Sequence, residues 1–194
     1  MEPKGQDLHR PENDGHSRMD KQEHRGFPAA QGLIRTANPT DAEGVSRLLE
    51  TSHSRLLTVS YGSKMLRLAL PYRIKANPAL LASGTYYVAE TEPGLLVGGG
   101  GWTAEKPGSG ETAAGEARVR HFAIHPEWTR RGIGASLLAR CIRDARSLGM
   151  RKLHCFLNAE PFYRASGFDT VGPLDVPLGP AITFPAVWMK YEMV

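Results

Sequence analysis

The sequence predicts an α/β protein (α+β in the finer division) built as a central mixed β-sheet flanked by helices on both faces. Three observations carry this. Residues 117–124 read as a strand that passes over a loop bearing Gly132 and Gly134 into an amphipathic helix over 134–148, where Ile133, Leu137, Cys141, Ala145 and Leu148 recur at the helical period. Residues 152–157 form a short apolar run suited to a buried strand, and a second short helix follows it. Residues 85–90 and 95–102 form a hairpin around Glu92, Pro93 and Gly94.

Taken in order, residues 1–26 have almost no large apolar side chains and mix both charge signs with Gly, Pro, Asn and His. Such a segment cannot bury enough surface to offset chain entropy, so it is expected to be a disordered polar tail on one domain spanning 27–194. His9, His16 and His24 are too dispersed for a metal site, and the tail has no cysteine. A strand is expected over 32–36. Asn38 to Asp41 then give a turn and an N-cap for a helix through Glu50, with Ala42, Val45, Leu48 and Leu49 on one face. Irregular helix is expected over 63–70, broken at Pro71, and a short helix over 78–81. The hairpin carries four successive glycines, Gly98 to Gly101, which read equally as a site of close approach or bulging and as weak packing. A polar loop covers 107–115, Gly149 ends the long helix, and final strands are expected over 168–172 and 182–191.

The chain of 194 residues, 41% hydrophobic and 23% charged, suffices for one full core. No apolar stretch approaches the roughly 18 residues of a membrane span, and no apolar segment near the start resembles a secretory signal, so a cytoplasmic protein without membrane contact is expected. Cys141 and Cys155 then read as reduced, small buried hydrophobes. A formal net charge of +4 invites a nucleic-acid reading. Against it, Arg140, Arg143, Arg146, Arg151 and Lys152 lie on or after the long helix with Asp144 among them, and no aromatics interleave to stack bases. A solvated helix face is the simpler account.

The loop before the long helix has the makings of an anion site. A helix start leaves backbone N–H groups unpartnered at the positive end of its dipole, Gly132 and Gly134 let a ligand approach, and Arg130 and Arg131 add charge at the rim. Two nucleotide motifs fail on spacing. A Walker loop needs Lys and then Ser or Thr after its second glycine, where Ala135, Ser136 and Leu137 stand, and a dinucleotide fingerprint needs a small residue in place of Leu137. The segment Thr129-Arg130-Arg131-Gly132-Ile133-Gly134 instead resembles the acyl-CoA-binding motif of the GNAT superfamily of N-acetyltransferases, Gln/Arg-x-x-Gly-x-Gly/Ala, departing at Thr129. Downstream, Asn158-Ala159-Glu160-Pro161-Phe162-Tyr163-Arg164-Ala165-Ser166-Gly167-Phe168 is similar to the second hallmark of that family, with Asn158 as helix cap and Gly167 as a left-handed C-cap.

The resemblance implies a GNAT-type three-layer fold and an acetyl-CoA-dependent N-acetyltransferase, with acetyl-CoA as cosubstrate and no metal. It implies that the backbone of Phe122, Ala123 and Ile124 holds the pantetheine arm, that one N–H of Ala123 or Ile124 polarises the thioester carbonyl, and that Arg130, Arg131, Gly132, Ile133, Gly134 and Ala135 hold the diphosphate. Asn158 would also reach the pantetheine arm. Tyr163 would be the general acid for the CoA sulfur. The base is open: many relatives carry Glu where Val119 stands, and the candidates are His121, placed by alternation on the face of Val119, Glu116 or Glu90 through a water, or an ordered water chain with no single base. The acceptor is expected to be a primary amine of a small molecule, and a homodimer is one expected assembly. Protein lysine or N-terminal acetylation, and a non-catalytic acyl-CoA-sensing domain, are the alternatives.

Overall fold

The computed structural model describes residues 32–59, 61–92, 94–106, 110–156, 159–179 and 182–193. The expected polar tail and Asn158 lie outside the described residues. The elements in chain order are β1 (Leu33–Thr36), α1 (Ala42–Leu56), α2 (Ser63–Arg73), α3 (Pro78–Ala82), β2 (Tyr86–Glu92), β3 (Leu95–Thr103), β4 (Glu116–Ile124), α4 (Ile133–Ser147), β5 (Lys152–Phe156), α5 (Glu160–Ala165), β6 (Asp169–Gly179) and β7 (Ile182–Glu192). They form one seven-stranded sheet in the order β1-β2-β3-β4-β5-β7-β6. Only β4 and β5 pair in parallel, and α4 is the crossover that a parallel pair requires.

The layers follow from strand alternation. Tyr86 and Tyr87 are neighbours in β2, yet Tyr87 packs under α4 with Leu137, Leu138 and Cys141, while Tyr86 packs on the opposite face with Val45, Leu48 and Leu49 of α1 and Leu80 and Leu81 of α3. α2 adds a third cluster in which Leu66 and Ala69 meet Tyr61 and Phe184 of β7. Cys141 and Cys155 are buried and unpaired, and burial pushes both thiols up, which keeps them inert. Arg140 of the basic face lies over the Tyr87 ring at 5.1 Å, and Asp144 accepts hydrogen bonds from Tyr87 and from the Trp102 indole.

Several element boundaries differ from the expectation, four of them with a consequence for packing or the site. α1 runs to Leu56 instead of Glu50, because the buried period of Val45, Leu48 and Leu49 continues through Ser52 and His53. α2 passes through Pro71 and ends at Arg73; the proline forfeits one bond late in the helix, and Ile74 N–H still reaches the Leu70 carbonyl at 3.1 Å. β6 extends to Gly179, since an edge strand tolerates Pro173 and Pro177. Ala159, not Asn158, occupies the N-cap position of α5.

The glycine run of β3 is neither weakly packed nor open to a ligand. A Cβ on Gly98 would sit 2.8 Å from Ile133 of α4, one on Gly99 would sit 2.9 Å from the Tyr86 hydroxyl, and one on Gly100 would overlap the Phe122 ring. At Gly101 it would meet the Thr85 carbonyl oxygen at 2.5 Å, an atom that cannot move without breaking the hairpin. Gly101→Ala is therefore expected to destabilise the fold by about 1–3 kcal/mol, lowering Tm by roughly 3–10 °C. Gly172→Ala, where nothing lies within 4 Å of the added carbon, should leave Tm unchanged. Thermal unfolding of the two variants checks this, and equal Tm values would refute the packing account.

Candidate active site

The site begins with a strand that bends. Between the pairs Gly99↔Ala123 and Gly101↔Arg120, Gly100 alone faces two residues of β4, His121 and Phe122, which is a β-bulge. His121 sits at φ 46°, a left-handed conformation that His tolerates better than most residues but at some cost. The Tyr86 hydroxyl donates to the His121 carbonyl at 2.8 Å and holds the bulge in place. The ladder between β4 and β5 ends at Arg118↔His154, so the following part of β4 has no partner from β5. Into this gap opens a cavity of about 490 Å³ lined by Phe122, Ala123 and Ile124 of β4, the start of α4, Phe162 and Tyr163 of α5, and Ser52, His53 and Leu56 of α1.

The start of α4 supplies the polar end. Arg130 (φ 63°) and Gly132 (φ 79°) are left-handed, a backbone that turns successive N–H groups to one side. The first intrahelical bond runs from Ser136 N–H to the Gly132 carbonyl at 2.9 Å, which leaves the N–H groups of Ile133, Gly134 and Ala135 ahead of it. Gly132 offers no side-chain cap to satisfy them. Arg130, Gly132, Ile133, Gly134 and Ala135 all line the cavity, whereas Arg131 turns away and stacks on Trp128 at 4.5 Å. Thr129 directs its hydroxyl to the Pro126 carbonyl at 3.0 Å. The residues thus suit a ligand with an anionic group at the helix start and an extended arm along an unpaired strand edge.

Tyr163 marks the far end. Its ring is held edge-on by Phe162 and Phe168 at 5.0 and 5.2 Å, and its buried hydroxyl has no hydrogen-bond partner among the described residues. Burial raises its pKa well above the usual phenol value, with Cys155 and Cys141 adding and Arg73 opposing, so the hydroxyl stays protonated across the physiological range. An unsatisfied buried donor facing a cavity is costly unless something binds there.

The basic candidates fall differently from expectation. Glu116 lies at the opposite end of β4, eight residues from Ile124 or roughly 26 Å of strand. Its carboxylate stands 3.4 Å from both Arg118 and His154, so it cannot reach the cavity. Glu90 is bound by Arg35 at 2.8 Å on the β1–β2 side. His121 is not on the face of Val119: Val119 packs towards α4, while the bulge interrupts the alternation and sets the His121 ring near Arg73 of α2 and His53 of α1. Burial, then Arg120 and Arg73, lowers its pKa to about 4.

The imidazole that does line the cavity is His53, which the sequence reading missed. Burial lowers its pKa to about 3, with Arg73 and His121 adding; only a hydrogen bond to the Phe122 backbone opposes this. A bond of that sense is a ring N–H donating to a carbonyl, so Nδ1, which has no partner, is the ring's acceptor. Extending the period of Val45, Leu48 and Leu49 by one more turn would have placed His53 on the buried face.

Among the described residues no group of His, Cys, Asp and Glu could hold a metal ion, and no helix is long and apolar enough to cross a membrane. Comparison by sequence with curated proteins finds no match. A family model described as an acetyltransferase (GNAT) domain matches residues 82–170. Among solved structures, a GCN5-related N-acetyltransferase of Rhodopseudomonas palustris superposes with a TM-score of 0.67 at 18% identity, covering 84% of this chain and 96% of that one. A ribosomal-protein-alanine N-acetyltransferase of Brucella melitensis gives a TM-score of 0.56 at 21% identity (83% and 99% covered). A phosphinothricin acetyltransferase of Sinorhizobium meliloti in complex with acetyl-CoA gives 0.57 at 17% (84% and 89% covered). The matched segment runs from α3 into β6 and holds the bulge, the α4 loop and Tyr163; residues 82–170 are thus similar to an acetyltransferase (GNAT) domain, and the fold is similar to that of the solved GNAT acetyltransferases.

Proposed function

We propose that the protein is an N-acetyltransferase that moves the acetyl group of acetyl-CoA to a primary amine of a small molecule by direct attack. The observation that carries this reading is the buried, unpartnered Tyr163 hydroxyl in a cavity whose other end is the open start of α4. Relatives of the same fold support it, since the phosphinothricin acetyltransferase was solved with acetyl-CoA bound. When bound, acetyl-CoA supplies an acetyl group activated as a thioester.

The chain's own residues then have distinct tasks. The N–H groups of Ile133, Gly134 and Ala135, with Arg130 at the rim, bind the diphosphate. The unpaired edge of Phe122 to Ile124 holds the amide-bearing arm, and a backbone N–H of Ala123 or Ile124 stabilises the charge that develops on the carbonyl oxygen. Tyr163 donates its phenolic proton to the departing sulfur, a task that its raised pKa suits because the proton is still present at neutral pH. His53, neutral at that pH, accepts a hydrogen bond from the acceptor amine through Nδ1. With a pKa of about 3 it positions the amine more than it stores its proton, which passes through water to restore the Tyr163 phenol, and burial of the amine itself favours the uncharged nucleophile.

A small acceptor fits the way the acceptor end is walled. α2 packs through Leu66 and Ala69 onto Phe184 of β7, with Leu178 of β6 against the same cluster, and this packed helix beside the acceptor end supports a small acceptor.

Two outcomes are expected. Tyr163→Phe keeps the ring packing and removes the donor, so the single-turnover rate should fall roughly 10²-fold or more with acetyl-CoA affinity little changed; an unchanged rate would make Tyr163 a core residue. Gly132→Val forces a β-branched side chain into a left-handed backbone and should weaken acetyl-CoA binding by about tenfold or more, while Thr129→Ala, whose hydroxyl serves the Pro126 carbonyl, should change it little. Calorimetric titration separates these, and equal effects would remove the phosphate site from the α4 loop.

A further inference from the structure

Among the described residues, Arg73 is a largely desolvated cation with no carboxylate beside it. Arg73, the last residue of α2, has its guanidinium carbon 4.8 Å from the centroid of the Phe184 ring, and its Nε is buried with no hydrogen-bond partner. Among the described residues no carboxylate pairs with it; the groups that act on its charge are the hydroxyls of Tyr61 and Tyr163, and burial dominates. A cation in the last turn of a helix is favoured by the dipole, but a residue serving only that end would turn to the terminal carbonyls or to water. Arg73 instead points to the place where α1, β4, α5 and β7 meet, beside His53, His121 and Tyr163.

Those neighbours share a property. His53 Nδ1, His121 Nδ1, Tyr163 Oη and Arg73 Nε are all buried and all unpartnered. A single orphan is tolerable, but four close together, with a charge among them, make a place where a bound polar group gains several hydrogen bonds at once. Two of the four belong to residues that line the cavity, so the group arrives through the site already described. Nothing acidic stands in the cluster to satisfy the guanidinium, whose planar fork of donors matches the two oxygens of an oxyanion.

We propose that the acceptor is an anionic amine, an amino acid or amino phosphonate in kind, whose oxyanion is paired by Arg73 while its amine lies at His53 Nδ1. This rests on the acetyltransferase reading and names the substrate class of that same site. The apolar lining of Leu56, Leu57 and Phe162 leaves the body of the molecule to be held by shape, and the charge fixes which end enters first. Arg73 is on this account a specificity residue, and the acetyl-CoA half of the cavity does not depend on it.

The test uses the full chain and a matched set of primary amines: α-amino carboxylates, their uncharged amides, the corresponding amines lacking the acidic group, and aminophosphonates. Thiol release gives kcat/KM for each, and calorimetry gives affinity without turnover. Wild-type protein should prefer an anionic member over its amide by about 10²-fold in both readouts, and Arg73→Leu should abolish that preference while acetyl-CoA affinity and Tm stay near wild type. Arg73→Lys should restore part of it. Whichever of carboxylate and phosphonate is favoured identifies the source of the oxyanion. Equal use of amides and acids by the wild type would overturn the anionic acceptor yet leave the acetyltransferase intact. Turnover of no amine, with acetyl-CoA failing to bind, would count against the acetyltransferase reading; anionic amines binding no better than amides would still overturn this proposal.

Discussion

The structure depends on one strained residue. His121 in a left-handed conformation inserts an extra residue into β4, and everything downstream on that strand is displaced by one position. Without the bulge, Ala123 would face α4 and Phe122 would face α1, the reverse of what is observed. A bulge also bends and twists its strand, which is why β4 leaves β5 after Arg118 and its unpaired end lines the cavity. The cost is met locally: the Tyr86 hydroxyl holds the His121 carbonyl, and Gly100 makes room for the Phe122 ring. The glycine run of β3 is thus the counterpart of the bulge in β4.

That bend lets two polar ends face each other across apolar walls. The α4 start offers N–H groups and the far end offers Tyr163, His53 and, behind them, Arg73. Low polarity between them strengthens both ends, because a donor or a charge that has lost water interacts more strongly with whatever replaces it. The same burial that raises Tyr163 lowers His53 and His121, so at neutral pH the phenol keeps its proton and both imidazoles lack theirs. A site so arranged holds a protonated phenol and a neutral imidazole on the wall of one cavity.

Much of this was legible in the sequence where local pattern and function coincide. The α4 loop, the Tyr163 helix and the order of strands announce themselves through glycine placement and helical period, and they stand where expected. What was not legible depends on long-range packing. Alternation gave the wrong face for His121 because no sequence period signals a bulge whose stabilising partner, Tyr86, is 35 residues away. Glu116 had the right chemistry at the wrong end of its strand, and only the point where β4 parts from β5 reveals which end matters. His53 and Arg73 were missed because α1 was ended at Glu50 and α2 at Pro71. In both helices tertiary contacts overrode the local stop signal, and the residues beyond it reach the site.

The central claim is that the gap between β4 and β5 binds acetyl-CoA along its length, with the acyl end at Tyr163. A crystal structure of the protein with a thioether analogue of acetyl-CoA tests it most directly. The account predicts the diphosphate on the N–H groups of Ile133 to Ala135, the arm bonded to the backbone of Phe122 to Ile124, and the sulfur within hydrogen-bond reach of Tyr163 Oη. A sulfur remote from Tyr163, or an arm bound outside the gap while the protein remains folded, would contradict it.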